Sequence, residues 1–252
     1  VTSGQALFDP LAELYERYAE INDGIYRPWL TQAVDTAGPV GPQARAVDLG
    51  CGSGRFDGLL ADRYGSVLAV DISARELDIA RRRYGRDNVA YEQRSLLDVT
   101  PAADGRFDLV LSVNTIFHLR DHDGVLPHVR DLVAPGGWAV LVDIVSPAGA
   151  RAHSPLRHRW YGVREAGRTL LRRRSVADAW LVLRLRQHRG WMQHAATNRP
   201  LTREGFHAAY GAAFPGCEFT DTIDGFVCAI RWQKPAEPAG PAAPAGTAGP
   251  AG

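Results

Sequence analysis

The order of short apolar strands and amphipathic helices predicts an α/β protein whose sheet is mostly parallel and covered on both faces. Three observations carry this expectation: strand-then-helix alternation from about residue 44 to 146, a glycine-rich turn directly after the first strand, and a strand pair around Asp224-Gly225 near the C-terminus. Parallel strands need helical crossovers, which bury both faces, whereas a tight turn joins only antiparallel neighbours.

Each element follows from spacing. Leu11, Leu14, Tyr15, Tyr18 and Ile21 recur at helical intervals, so the N-terminal stretch reads as an amphipathic helix with an aromatic edge. Arg45 to Leu49 is a short apolar strand running into Gly50-Cys51-Gly52-Ser53-Gly54, after which Phe56, Leu59 and Leu60 begin a helix. Ser66 to Val70 is a second strand ending at Asp71. Ser73 and Glu76 have the spacing of a capping box, opening a helix that buries Leu77, Ala80 and Tyr84. Strands at about 88–92 and 107–113 follow, then a helix through Val125, Leu126, Val129 and Leu132 and a strand from Trp138 to Val145. Glu218 to Ile223 and Phe226 to Trp232 read as a hairpin.

This pattern divides the chain into an N-terminal helical cap (1–43), a core (44–146), a helical lid (147–200), the end of the core (201–234) and a tail (235–252). The lid is longer than a simple connection and has helical stretches at Ala166 to Leu171 and Val176 to Leu185. The Pro/Ala/Gly tail has no large apolar side chain to offset its chain entropy, so disorder is expected there.

With 252 residues, 45% hydrophobic and 23% charged, the chain can bury one sizeable core. No apolar run approaches twenty residues, and no basic-then-apolar leader is present, so neither a membrane span nor export is expected. The expected location is the cytoplasm, with no membrane partner. Cys51, Cys217 and Cys228 are odd in number and far apart, which fits free thiols rather than a disulfide framework. Neither they nor the eight histidines show metal-ligand spacing, so no metal is expected. The net charge of +1 conceals an asymmetry: Arg151 to Arg199 holds twelve arginines against Glu165 and Asp178, about +10, leaving about −9 elsewhere. A nucleic-acid partner is disfavoured, because the chain lacks overall basicity and any N-P-P-Y-like tetrad.

The glycine turn carries the chemistry. A ligand that approaches backbone at the end of a strand needs residues without a Cβ, and the following helix offers oriented N–H groups. Gly50, Gly52 and Gly54 meet that need, but Arg55 stands three after Gly52, where a dinucleotide fingerprint requires glycine. The sequence V-D-L-G-C-G-S-G, 47–54, instead resembles the first motif of class I S-adenosylmethionine-dependent methyltransferases. The resemblance implies that Gly50, Cys51, Gly52 and Gly54 lie along the amino-acid part of the cofactor and that Asp48 helps orient its ammonium group. Asp71, twenty-one residues after Gly50 in V-L-A-V-D-I-S, resembles the acid that accepts both ribose hydroxyls, with Ile72 beside it.

After the third strand the family usually places an acid for the adenine amino group, then a backbone N–H. Here E-Q-R-S-L-L-D-V has Ser95 at that position, followed by Leu96, with Asp98 three residues later; adenine recognition stays open between Ser95 and Asp98. F-D-L-V-L-S-V-N-T-I-F-H-L, 107–119, resembles the fourth strand and its turn, making Ser112, Val113, Asn114 and His118 candidates to face cofactor or acceptor. A-P-G-G-W, 134–138, matches the glycine turn before the fifth strand.

The resemblance covers a little under half the chain. It implies a Rossmann-like, doubly wound, mostly parallel seven-stranded sheet with an antiparallel final strand, S-adenosylmethionine as cofactor, and methylation of a small-molecule acceptor. The expected reaction is O- or N-methylation of a secondary metabolite, by a monomer or homodimer. Alternatives are a peptide, protein or RNA methyltransferase, or a cofactor-binding regulator without catalysis. His118 is the leading general-base candidate; the other reading is a histidine that packs on the cofactor or bonds backbone. Tyr15, Tyr18, Tyr26 and Trp29 could close one side of an acceptor pocket, and Trp160, Tyr161, Trp180, Trp191 and Met192 the other, or both groups could be plain core. His153 and Asp143 are weaker acceptor contacts. Arg172, Arg173 and Arg174 read as a solvated face or as steering charges for an acidic acceptor.

Overall fold

The computed structural model describes residues 12–38, 40–146, 155–198, 200–224 and 226–236; Leu11, His153, Gly225 and all but the start of the tail lie outside the described residues. Strand β1 (Gly41–Leu49) is central in a seven-stranded sheet, bonded in parallel to β2 (Tyr64–Asp71) on one side and β4 (Phe107–Val113) on the other. Outward from β2 lies β3 (Val89–Gln93); outward from β4 lie β5 (Val133–Ile144), β7 (Val227–Gln233) and β6 (Glu218–Asp224). The order β3-β2-β1-β4-β5-β7-β6 reverses between β1 and β4, which opens a crevice beyond their carboxyl ends. β7 alone runs against the direction of the other six strands, because the hairpin returns the chain between β5 and β6. This is the mixed, mostly parallel sheet that the motifs implied.

The helices are α1 (Ala12–Asp35), α2 (Asp57–Ala61), α3 (Ala74–Tyr84), α4 (Pro101–Asp104), α5 (His122–Leu132), α6 (Pro155–Arg173), α7 (Val176–Gln187), α8 (Arg189–Thr197) and α9 (Arg203–Ala213). The pleat sends alternate residues of the central strands into two cores. Val47, Leu49, Val110, Ala139 and Leu141 pack against α5 and α9 through Leu126, Val129, Phe206 and Tyr210. Ala46, Leu109, Leu111 and Val140 face the other way, onto Leu30, Ala33 and Val34 of α1 together with Phe56 and Leu60.

Helix α1 is longer than the apolar pattern of its first half indicates. It runs on through Pro28, which removes one helical hydrogen bond, and its two halves pack differently. Leu14, Tyr18 and Ile21 meet the lid residues Ala166, Leu181 and Val182, whereas Leu30 to Val34 belongs to the sheet core. The spacing at Ser73 also delivers only half of the expected capping box. Ser73 Oγ accepts from Glu76 N at 3.2 Å, but Ser73 N donates to Asp71 Oδ1 at 2.8 Å, tying the helix start to the end of β2.

Candidate active site

The three glycines of the first turn all have left-handed backbones, with φ of 82° at Gly50, 54° at Gly52 and 79° at Gly54, but they are needed for different reasons. A Cβ on Gly50 would lie 2.3 Å from the Thr115 side chain, and one on Gly54 would lie 2.9 Å from Asp57 Oδ2. Those two positions are filled by the protein itself. A Cβ on Gly52 would meet nothing nearer than Glu76 Oε2 at 3.9 Å, so Gly52 borders open space on the crevice.

Behind the loop, Asp48 and Asp57 are buried together. Burial raises both carboxyls, Asp48 well above the usual range, with the neighbouring Asp57 charge as a second cause, and Asp57 to about 6, while the Tyr91 hydroxyl beside Asp57 works against its rise. Asp48 is thus buried near the end of β1, two residues before Gly50. Asp71 is held by the loop: its Oδ2 accepts from Gly52 N at 2.9 Å and its Oδ1 from Ser73 N. A carboxylate has about four acceptor sites, so these two bonds orient Asp71 while leaving capacity for hydroxyl donors. Asn114, just after β4, also has a left-handed φ of 56°; its N donates to Val142 O, and its buried Oδ1 has no hydrogen-bond partner among the described residues.

Other predicted positions are placed differently. Ser112 is buried and donates to Leu49 O at 2.9 Å, so it ties β4 to β1 and does not face the crevice. Ser95 and Asp98 bond to each other's backbone in a capping box, and Leu96 is part of the sheet core; the two alternatives for adenine thus form one turn. Ile72 is exposed, and Val113 is half-buried beside the crevice. Cys51 is a free thiol whose Sγ donates to Gly52 O, and burial pushes it well above its usual range, which removes it as a nucleophile.

Helix α1 forms the roof. Ser53 Oγ donates to the buried Glu16, which also accepts from Arg83 Nη1 at 3.1 Å, and Arg55 pairs with Asp23. Tyr15, Tyr18 and Trp191 come together, with ring centroids 5.7 Å apart for Tyr15 and Trp191 and 6.0 Å for Tyr18 and Trp191. Arg186 lies 5.3 Å from the Tyr18 ring centre and 5.1 Å from that of Trp191, and is paired with Glu165 at 2.6 Å. Burial raises the Tyr15 hydroxyl, and its surrounding charges come from Arg55, Glu76, Arg186 and Glu16, so this ring sits between the glycine loop and the lid.

Other aromatic candidates lie outside this cluster: Tyr26 packs against the sheet core, and Tyr161 is exposed beside Trp160. Trp29 packs on the sheet core behind α1. Trp160 is 61% exposed against Arg164, and Trp180 is 64% exposed, so both point away from it.

His118 Nδ1 lies 2.9 Å from Asn198 Oδ1, and burial lowers its pKa to about 4. An acceptor oxygen at Nδ1 puts the ring proton there and leaves the proton-accepting lone pair on Nε2. Asp143 is not an acceptor contact. It is buried beneath the His118 turn, accepting from Phe117 N at 3.3 Å and from the Tyr210 hydroxyl, and burial raises it to about 7. Among the described residues, His207, Asp221 and Cys228 bring possible ligand atoms within 4.8 Å of one another, but Arg203 already sits 3.3 Å from Asp221 as its counter-charge.

The sequence reading missed Glu16, Asp57, Arg186 and Asn198, and gave Glu76 only a helix-capping role. Only Asp57 had a local signal, three residues after the last loop glycine; the others are brought in by distant elements. The crevice fits S-adenosylmethionine on observations of its own: an open face at Gly52, an oriented acid at Asp71, and the unsatisfied amide oxygen of Asn114.

A family profile described as a methyltransferase domain matches residues 47–141. The chain is 33% identical over 153 residues to 2-phytyl-1,4-naphtoquinone methyltransferase of Thermosynechococcus vestitus, covering 58% of this chain and 67% of that protein. It is 30% identical over 142 residues to methyltransferase GfsG of Streptomyces halstedii, covering 54% of this chain and 46% of GfsG. The chain spans about half the length of the curated relatives it first matches. A putative methyltransferase solved with the Haloferax volcanii Trm112 activator shares the fold at a TM-score of 0.62 and 15% identity, over 94% of this chain and all of that one. The sheet order, the glycine turn and these similarities agree: the chain belongs to the class I S-adenosylmethionine-dependent methyltransferases.

Proposed function

We propose that this chain methylates a small-molecule acceptor, at oxygen or nitrogen, in the crevice between the β1–β4 carboxyl ends and the α1–lid roof. The observation that carries the acceptor class is the Tyr15, Tyr18 and Trp191 cluster beside the loop. It offers flat apolar faces with one fixed cation, Arg186, which suits an aromatic acceptor better than an extended polymer. The quinone acceptor in the name of one relative belongs to the same chemical class.

S-adenosylmethionine supplies an activated sulfonium methyl, so the protein's tasks are to position the acceptor, exclude water and move one proton. In this reading Gly52, Asp71 and Asn114 hold the cofactor. The roof on Glu16 and Ser53 keeps water out. His118, neutral at physiological pH because of its burial, takes the acceptor proton at Nε2, and Asn198 fixes that tautomer. Secondary-metabolite acceptors, a cytoplasmic location and a monomeric or homodimeric state remain parts of the proposal.

Turnover with labelled cofactor tests it. A panel of phenols, quinols and aromatic amines, with products identified by mass spectrometry, should yield a methylated small molecule. Transfer to protein or RNA fractions alone would overturn the reading. In the same assay His118→Asn should lower kcat by about a hundredfold, the usual scale of a general base, with little change in cofactor affinity.

A further inference from the structure

Helices α6 and α7 form a hairpin joined by Arg174 and Ser175, and its tip is built against the ordinary rule for helices. A helix that is apolar all round is normally buried. In α7, Leu181, Val182 and Leu185 face inward, yet on the opposite side Val176 is 75% exposed and Trp180 is 64% exposed. Across the turn, Leu171 is 82% exposed. Three large apolar side chains exposed within ten residues are the kind of feature that marks an interaction surface.

The charge around the tip says what covers it. Arg168, Arg172, Arg174 and Arg184 are exposed, and the segment's two acids, Glu165 and Asp178, are already paired with Arg186 and Arg173. Arg174 has a left-handed φ of 52° where its N closes the helix on Leu170 O, a position that favours glycine or asparagine. The sequence places a cation there despite the backbone cost. A second copy of the chain is a poor occupant, because a two-fold interface would set this cationic patch against itself. An acidic protein would satisfy the charges, but charge alone gives no reason for a tryptophan and two aliphatic side chains to stand exposed among the arginines.

We propose that the hairpin tip docks on an anionic lipid surface, with Leu171, Val176 and Trp180 entering the interface and the arginines contacting the headgroups. Interfacial segments combine these two features, an apolar tip with an aromatic anchor and an arginine-rich flank. The expectation of no membrane partner rested on the lack of a spanning segment. Among the described residues no helix is long and apolar enough to cross a membrane, but surface binding has no such requirement. The inference does not depend on the proposed reaction, because lipid binding is read without turnover.

The test is flotation of the full chain with vesicles of phosphatidylcholine alone and of phosphatidylcholine mixed with phosphatidylglycerol. Binding should be at least about tenfold tighter to the anionic vesicles and should weaken with salt, since each arginine near the surface contributes about a factor of five. Arg168→Glu with Arg184→Glu should abolish it. Leu171→Ser with Trp180→Ser should reduce it about tenfold or more, with the thermal melt and the cofactor-induced shift unchanged, since both side chains are exposed. Equal binding to neutral vesicles, or no binding at all, overturns the proposal. So does binding to polyglutamate as tight as to vesicles, or a solution dimer that the Trp180→Ser variant dissociates.

Discussion

Leu185 and Trp180 stand five residues apart on α7, one wholly buried and the other mostly exposed, whereas no large apolar side chain of β1, β4 or β5 is exposed. The sheet and the hairpin therefore use apolar residues under different constraints. In the sheet, two covered faces leave every apolar position one solution, and sequence pattern converts directly into packing. In the hairpin, apolar side chains outnumber the inward positions, so composition alone does not say which of them is core.

The largest contrast within the site is between two neighbouring glycines. Gly50→Ala should cost about 3 kcal/mol or more, because it combines a left-handed backbone with a Cβ 2.3 Å from Thr115. A circular-dichroism melt reads this as a large fall in Tm. Gly52→Val should keep much more of the apo Tm but lose the thermal shift that S-adenosylmethionine gives, because its side chain enters the open crevice. A Gly52→Val protein still stabilised by cofactor would move the cofactor off this loop.

The hairpin comparison is sharpened by two substitutions on one helix. Leu185→Ala should lose about 2–4 kcal/mol, while Trp180→Ser should stay within about 0.5 kcal/mol of wild type, although it removes more apolar surface. Similar losses at the two positions in chemical denaturation would mean that Trp180 is covered within the folded chain.

Asp71→Ala links the loop to its ligand. Removing a carboxylate that accepts ribose hydroxyls should weaken cofactor binding about ten- to a hundredfold, or about 1.5–3 kcal/mol by calorimetry. The same change also leaves Gly52 N and Ser73 N without their acceptor, so apo stability should fall by about 1–2 kcal/mol.

The pH dependence of stability separates Asp143 from a surface acid. Its pKa in the fold is raised to about 7 from 3.8, so its contribution is fully present below the unfolded value and is lost as pH rises toward 7. Melts of wild type and Asp143→Asn should therefore converge or cross as pH rises from about 4 to about 7, with wild type losing relative stability. His118 acts in the opposite sense. Its pKa is lowered to about 4 from 6.5, so its contribution is lost as pH falls through that window.

The smallest effect concerns the lid arginines. Replacing Arg172, Arg173 and Arg174 by alanine should change the cofactor dissociation constant by less than about threefold, because screened charges act weakly beyond a Debye length of about 8–10 Å. A larger change would mean that the hairpin reaches the crevice.

The glycine turn, the acid at the end of β2, the mostly parallel sheet and the final hairpin were legible because each rests on local chemistry: a backbone that only glycine tolerates, an acid at a strand end, alternation of apolar runs. Ser112 was misread because strand position alone does not tell a crevice-facing residue from one that bonds the neighbouring strand. The aromatics show a sharper limit. Trp160, Trp180 and Trp191 lie in similar lid sequence, but only Trp191 turns inward, and α7 is apolar on both sides, so periodicity carries no direction there. Glu16 and Asn198 left no trace because their partners are 37 and 80 residues away.

Helix α1 joins regions that otherwise share few contacts. Its second half is fixed in the sheet core, its first half holds Ser53 through Glu16 and faces Trp191 through Tyr15, and Pro28 interrupts the hydrogen bonding between them. The glycine loop is thereby fastened to the first half of α1 through the Ser53–Glu16 bond. The same half-helix also carries Tyr15 and Tyr18 against Trp191, so the loop and the lid are tied to one element.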